Sequence, residues 1–335
     1  LFGEHSLETA ASQNALALWH RARGELREAE ELLREAWAIV EAQGADEQPE
    51  FLRIATNLAG VLVEQGDFAA AEQFYWRVLR GLDRSLGAGS LDAVVSRRNL
   101  AVLLDEQGRH ADAATLYRQA LPVLRSRFGP THSFVALTLC DLANSLDQLG
   151  ESSEAEGLAR EAVAIERQAK AGPHAELAWV LLHHGIVLVS LDRLEEADGL
   201  LTEAVGMMSE ALPASHPNRA YALTHLAALR RAQGDYPSAA VLLGQAVEIH
   251  RSAQESSPRD LASSLWELGR SLLEQGDGLG AAEAAEESLA LQRQIHSDDH
   301  EEVLRAELLL ADCQVDLGHL EEAEAVLLRR FADLA

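Results

Sequence analysis

The sequence predicts an all-α protein, an α-solenoid of about eight helix-turn-helix repeats. Stepping by 42 from Gly108 in both directions lands on Gly24, Gly66, Gly150, Asp192, Gly234, Gly276 and Gly318, with no insertion or deletion. Five residues beyond each of these positions stands Ala29, Ala71, Ala113, Ala155, Ala197, Ala239, Ala281 or Ala323, without exception. The composition agrees. It is 47% hydrophobic but only 5% aromatic, and leucine, alanine, glutamate and arginine, all good helix formers, predominate.

Each repeat justifies itself by the same marks. In the first, residues 4–45, Leu16 and Ala17 precede Gly24 by eight and seven residues, and Ala36 follows it by twelve. The second, 46–87, has Leu58, Ala59 and Val78 at these places, and the third, 88–129, has Leu100, Ala101 and Ala120. Leu142, Ala143 and Ala162 mark the fourth, 130–171. The fifth, 172–213, substitutes His184 and Gly185 before Asp192, with Ala204 after it. Leu226, Ala227 and Ala246 mark the sixth, 214–255; Leu268, Gly269 and Ser288 the seventh, 256–297; Leu310, Ala311 and Arg330 the eighth, 298–335.

The physics of one repeat explains all. In LAVLLDEQGRHADAATLYRQAL, residues 100–121, apolar residues recur at helical spacing on both sides of Gly108, which makes two amphipathic helices. Glycine ends the first by taking the left-handed backbone conformation that other residues reach only with strain. Asp192 is the one exception, and aspartate is among the few residues that tolerate that region. Small residues such as Ala101 and Ala113 let the two helices approach closely where they cross. Turn-rich joints, among them SLGAGSLD, RFGPTHS and LPASHPN, separate the hairpins. Helices of about 14–17 residues, roughly 21–25 Å, are expected. One hairpin cannot bury its apolar stripe, so stacked neighbours must supply the core. Pro122 inside a second helix, and Gly278 with Gly280 at the start of another, are expected to introduce kinks or looser order.

These phrases resemble the tetratricopeptide repeat (TPR) family, in its 42-residue subgroup of kinesin-light-chain and nephrocystin type. RRNLAVLLDEQGRHADAATLYRQAL and ATNLAGVLVEQGDFAAAEQFYWRVL carry the resemblance, with joints of the form FGPTHS and LPASHPN. It covers essentially the whole chain, read as a single array. The resemblance implies a right-handed superhelix whose concave groove is lined by the first helix of each repeat, and it implies that asparagines at the places of Asn57 and Asn99 grip a peptide backbone.

Helix geometry selects the groove-facing residues. With Leu100, Ala101 and Leu104 on the core side, Val95, Asn99, Val102 and Glu106 fall opposite, flanked by Arg98. The same register gives Arg53 and Asn57 in repeat two, Asp141 and Asn144 in repeat four, Trp179 and His183 in repeat five, and Tyr221 and His225 in repeat six. In repeat seven it gives Glu267 and Arg270, with Trp266 alongside. An amide both donates and accepts hydrogen bonds, so the asparagines are either peptide contacts or solvated polar residues. The aromatics are either anchors for a ligand or packing between neighbouring first helices. Arg53, Arg98 and Arg270 are expected to pair with acidic groups of a ligand.

Charge and motifs exclude other classes. A net charge of −26 opposes phosphate backbones and anionic lipid, so neither nucleic acid nor membrane is an expected partner. No apolar run approaches membrane-spanning length, and no basic-then-apolar leader opens the chain, which begins at Leu1 as a processed chain or excised fragment would. Cys140 and Cys313 have no ligand or disulfide spacing, which predicts a reducing, cytoplasmic setting. A single lysine, Lys170, in an alanine-rich chain points to a GC-rich bacterial genome. The phosphate loop GxxxxGK, HExxH, GxSxG and CxxC are all missing, so neither catalysis nor a cofactor is expected. His132, His174, His216 and His300 recur at the 42-residue period; successive joints lie a repeat apart, too far to share a metal, so they are expected to cap helices or shape turns. His184, in a leucine slot, is expected to be a buried core histidine.

The ends are expected to be apolar: Ala15, Leu18 and Trp19 at the start, and Leu308, Leu309, Leu327, Leu328, Phe331 and Leu334 at the finish. Such faces predict a cover of further repeats, fused domains or another copy of the chain. The expected function is a scaffold that binds an extended peptide or partner helix. The alternative is a sensor arm of a larger bacterial signalling protein whose effector, a nucleotide hydrolase, a DNA-binding domain or a caspase-like protease, lies outside these residues.

Overall fold

The computed structural model describes residues 6–45, 48–169, 174–253 and 257–333. All regular structure among them is α-helical, sixteen helices in eight antiparallel hairpins. The chain divides into two compact units, residues 1–170 and 171–335. The first holds α1 (Leu7–Ala22), α2 (Leu26–Ala42), α3 (Pro49–Glu64), α4 (Phe68–Ser85), α5 (Leu91–Glu106), α6 (His110–Phe128), α7 (Ser133–Gln148) and α8 (Ser152–Ala169). The second holds α9 (Ala175–Ser190), α10 (Leu194–Ala211), α11 (Pro217–Ala232), α12 (Tyr236–Ser252), α13 (Pro258–Glu274), α14 (Gly278–Ile295), α15 (Glu301–Asp316) and α16 (Leu320–Asp333).

Each elbow is built alike. Gly108 has φ of 74°, and its N–H donates to Asp105 O while Arg109 N–H reaches back to Leu104 O, which satisfies carbonyls that a helix end leaves open. Asp192 adopts φ of 57° and its loop makes the same pair of bonds, to Val189 O and Leu188 O. The aspartate therefore replaces glycine without changing the turn. Second helices then start on Asp67, Asp235 and Asp277, whose carboxylates accept the N–H groups of Ala70, Ser238 and Gly280. Gly278 and Gly280 thus open α14 in an ordinary capped turn, and α6 runs through Pro122 without ending.

First helices also carry caps. His132, His216 and His300 accept the N–H of Phe134, Asn218 and Glu302 through Nδ1, at 3.1–3.2 Å. His174 occupies the corresponding N-cap position of α9. The periodic histidines therefore begin helices, and no group of three or more potential metal ligands is assembled among the described residues.

The marked small residues are the core. The alanines five beyond each elbow are buried, as are Ala17, Ala59, Ala101, Ala143, Ala227 and both Gly185 and Gly269 in the slot that faces them. A Cβ on Gly185 would meet the Leu201 side chain at 2.6 Å, so that leucine occupies the space an alanine methyl would need. Ser288 fits the core because its hydroxyl donates to Ala262 O at 2.7 Å. His184 is buried in its leucine slot. Arg330, in the last repeat's version of the Ser288 place, has a side chain outside the described set.

Two expectations about the end hairpins need correction. Leu309 is not off the core: it is 6% exposed and packs with Ala281, Ala285 and Cys313, because α15 leans on α14 through that face. Leu16, in the leucine slot, is 46% exposed. In the next repeat the same slot holds Leu58, which is fully buried on α3, a helix that packs against both α2 and α4. Leu18, Trp19, Leu308 and Leu328 are exposed as expected. The side chains of Leu327 and Phe331, and Leu334 itself, lie outside the described residues.

Candidate functional site

Within each unit, first helices of neighbouring hairpins touch: α1 with α3 and α5 with α7 in the first, α9 with α11, α11 with α13 and α13 with α15 in the second. Second helices do not meet each other to that extent among the described residues, so each stack closes on its first-helix side. The exposed strip of the first helices is therefore the inner face.

In the first unit this face is polar and internally paired. Asn57 Nδ2 donates to Asn14 Oδ1 at 2.8 Å, Arg21 meets Glu64 at 2.5 Å, and Arg98 donates to Asp141 at 2.5 Å. All three bonds join residues 43 apart, one repeat plus one residue. Arg98 also lies over the ring of Phe134, 5.6 Å from its centroid. Burial raises the Asp141 carboxyl to about 6, and Arg98 only partly offsets it. Two turns further along α5, Asp105 receives the Ser145 hydroxyl at 2.8 Å and meets His110 Nδ1 at 3.0 Å, and burial pushes its carboxyl up as well. Asn99 and Asn144 are half-buried on the same face, and Arg53 is exposed.

In the second unit the face is aromatic. The Trp179 and Tyr221 rings stack across α9 and α11, with centroids 5.8 Å apart and planes at 24°. His183 packs 4.6 Å from Trp179, and His225 lies 4.4 Å from Tyr221. His183 is 6% exposed and both ring nitrogens lack hydrogen-bond partners. Burial lowers it to about 3 and lowers His225 to about 4, so both rings are neutral. Tyr221 remains 38% exposed. Beyond it, Arg231 pairs with Glu267, and Trp266 carries two guanidinium groups against its ring, Arg270 at 4.7 Å and Arg305 at 4.4 Å. Its indole N–H donates to Arg305 O at 3.2 Å.

A family model described as tetratricopeptide repeat matches residues 50–126, 173–252 and 260–332, and a second model of the same description matches 9–42 and 135–174. The chain belongs to the tetratricopeptide repeat family. Among solved structures, a kinesin light chain with nearly identical TPR-like repeats from Podosopora anserina is 25% identical, with a TM-score of 0.54, over 60% of this chain and 95% of that one. The Rap protein complexed with competence and sporulation factor is 15% identical, TM-score 0.61, over 97% of both chains. A signal-transduction ATPase with a tetratricopeptide repeat sensor, from Pyrococcus horikoshii, is 13% identical, TM-score 0.65, over 98% of this chain and 46% of that one. No curated protein sequence matches.

In this TPR chain the selected first-helix residues mostly lie on the inner face, and two expectations change. His183 is buried beneath Trp179 and Tyr221 rather than presented to a ligand. Arg98 is engaged with Asp141, because the partner one repeat on reaches it before any ligand does. The aromatics of repeats five and six pack between first helices, yet Tyr221 keeps an open edge. Sequence reading missed Asn14, Arg21, Arg231 and Arg305. The step of 43 would have found the first two, since it links adjacent turns of successive first helices. Cys140 and Cys313 are buried free thiols, and no helix among the described residues is long and apolar enough to cross a membrane.

Proposed function

We propose that the inner faces bind an extended peptide or a partner helix, as a non-catalytic, cytoplasmic interaction scaffold. The TPR fold supports an interaction scaffold in general. The observation that carries the finer reading is the Tyr221 edge over the Trp179 ring, an aromatic ledge on a helix face with neutral histidines beneath it. Such a ledge offers apolar area with a polar hydroxyl and little side-chain entropy to lose, which suits an anchoring pocket. In the first unit, Asn57, Asn99 and Asn144 offer amides for a peptide backbone. The paired charges of Arg98 with Asp141, and of Arg231 with Glu267, leave no strong preference for an acidic or a basic ligand.

The test is selection of peptides from a random displayed library on the purified chain, followed by calorimetry with the selected peptide. Tyr221→Ala is expected to weaken binding at least about tenfold, as loss of an aromatic anchor does. Asn57→Ala with Asn99→Ala is expected to weaken a peptide held on the first unit. Val241 is exposed on α12, away from the inner face. Binding destroyed by Val241→Asp and untouched by Tyr221→Ala would overturn the reading.

A second reading is favoured by the apolar residues that α1 leaves exposed, Leu16, Leu18 and Trp19. On it the array is the sensor arm of a larger signalling protein, with an attached domain or a second copy covering those residues. Sequencing the gene on both sides of this chain decides between them.

A further inference from the structure

In the second unit, α13, the last turns of α14 and the first turns of α15 line an open cavity of about 460 Å³. Gln292 lines it from α14. The residue is 2% exposed, and its Oε1 is buried with no hydrogen-bond donor. A buried amide oxygen in that state is stabilised by any N–H that reaches it. Arg259, in the first turn of α13, and Arg305, in the second turn of α15, bring guanidinium groups to the same cavity. Contact with the Trp266 ring helps to set where the Arg305 group lies.

The joint between α14 and α15 adds His296 and His300, whose rings stack 3.7 Å apart at 10°. His300 Nδ1 already accepts the Glu302 N–H, so its proton sits on Nε2 and the ring is a donor. Burial, then His300 and Arg259, hold His296 below the ordinary histidine value. Two guanidinium groups and two imidazoles thus line the cavity. Asp260, Glu267 and Glu302 also line the cavity, and Glu302 lies 3.0 Å from Arg305. Those acids disfavour a multiply charged anion such as phosphate. A single planar carboxylate matches the guanidinium fork and adds only one charge.

We propose that this cavity binds an α-amino carboxylate, its carboxylate between Arg259 and Arg305 and an N–H of its neighbouring nitrogen on Gln292 Oε1. A free amino acid and the last residue of a polypeptide share that chemistry. The cavity shares Trp266 and Glu267 with the inner face, but its test reads Arg259, Gln292 and the two histidines, whereas the inner-face test turns on Tyr221, Asn57 and Asn99.

The probes are L-alanine, N-acetyl-L-alanine and N-acetyl-L-alaninamide, titrated into the full chain while the ring resonances of His296 and His300 are followed by NMR. A carboxylate probe is expected to move both rings and to raise the pKa of His296, and the amide to do neither. Movement by alanine alone assigns the site to free amino acids; movement by N-acetylalanine assigns it to chain ends. Arg259→Gln, at an exposed position, and Gln292→Leu are each expected to weaken binding about tenfold. The proposal is overturned if the amide binds as well as the acid, if no probe moves the rings at millimolar concentration, or if both variants bind like the parent.

Discussion

Three buried titratable groups set how this chain meets acid. His183 and His225 are held at about 3 and about 4, well below the ordinary 6.5, chiefly by burial. Between those values the unfolded chain takes up protons that the folded chain refuses. The stability attached to the two rings is therefore present above pH 6.5 and lost as pH falls, at about 1.4 kcal/mol for each pKa unit traversed. Asp141 runs the other way. Its carboxyl is lifted from 3.8 to about 6, so the folded state keeps a proton that the unfolded chain has released, and its cost appears as pH rises through that window. The histidines lie in the second unit and the aspartate in the first. Hydrogen exchange at about pH 5 is expected to show protection falling in the second unit relative to neutral pH, and His183→Leu should flatten that dependence. An unchanged dependence in that variant would refute the burial argument. None of this was legible in sequence. Helical register expected His183 on the groove face, whereas the rings of Trp179 and Tyr221 cover it.

At the scale of the helix pair, the sequence was far more informative. Two conditions define a hairpin here: a left-handed residue that turns the chain, and small residues where the helices cross. Both are single-residue properties, so both survive in sequence as a strict period. The Gly185 slot is the sharpest case, since its neighbour Leu201 leaves no room for a Cβ without movement. Gly185→Leu is expected to cost about 3 kcal/mol or more in urea unfolding, because the new side chain must displace Leu201 from the packed space between α9 and α10. The cognate change Gly199→Leu on α10, where a Cβ meets nothing within 4 Å, should be tolerated. Equal losses at both would remove the close-approach explanation. Pairings between hairpins were less legible. Arg118 with Glu154, Arg125 with Glu161 and Arg251 with Glu287 join second helices at a constant separation of 36, a step visible only once the stacking geometry is known. These pairs are substantially exposed, so each contributes about 0–1 kcal/mol and their regularity records geometry more than strength.

Within each unit, stability should behave as a sum of hairpin terms and neighbour terms, because the contacts between hairpins among the described residues join successive ones. A single unfolding free energy describes such a molecule poorly. Each of the two units happens to contain one thiol, Cys140 in α7 and Cys313 in α15. Burial pushes the first well above the ordinary thiol range and the second to about 11, so neither is a ready thiolate in the folded state. A maleimide or disulfide reagent can therefore modify either sulfur only when its own stack opens. Labelling rates at the two sites, read by mass spectrometry under increasing urea, are expected to rise separately and to report the local opening of each stack. Immediate reaction at both sites without urea would contradict the packing described. The natural chain thus carries a pair of opening reporters, one for each stack, with no residue engineered into it.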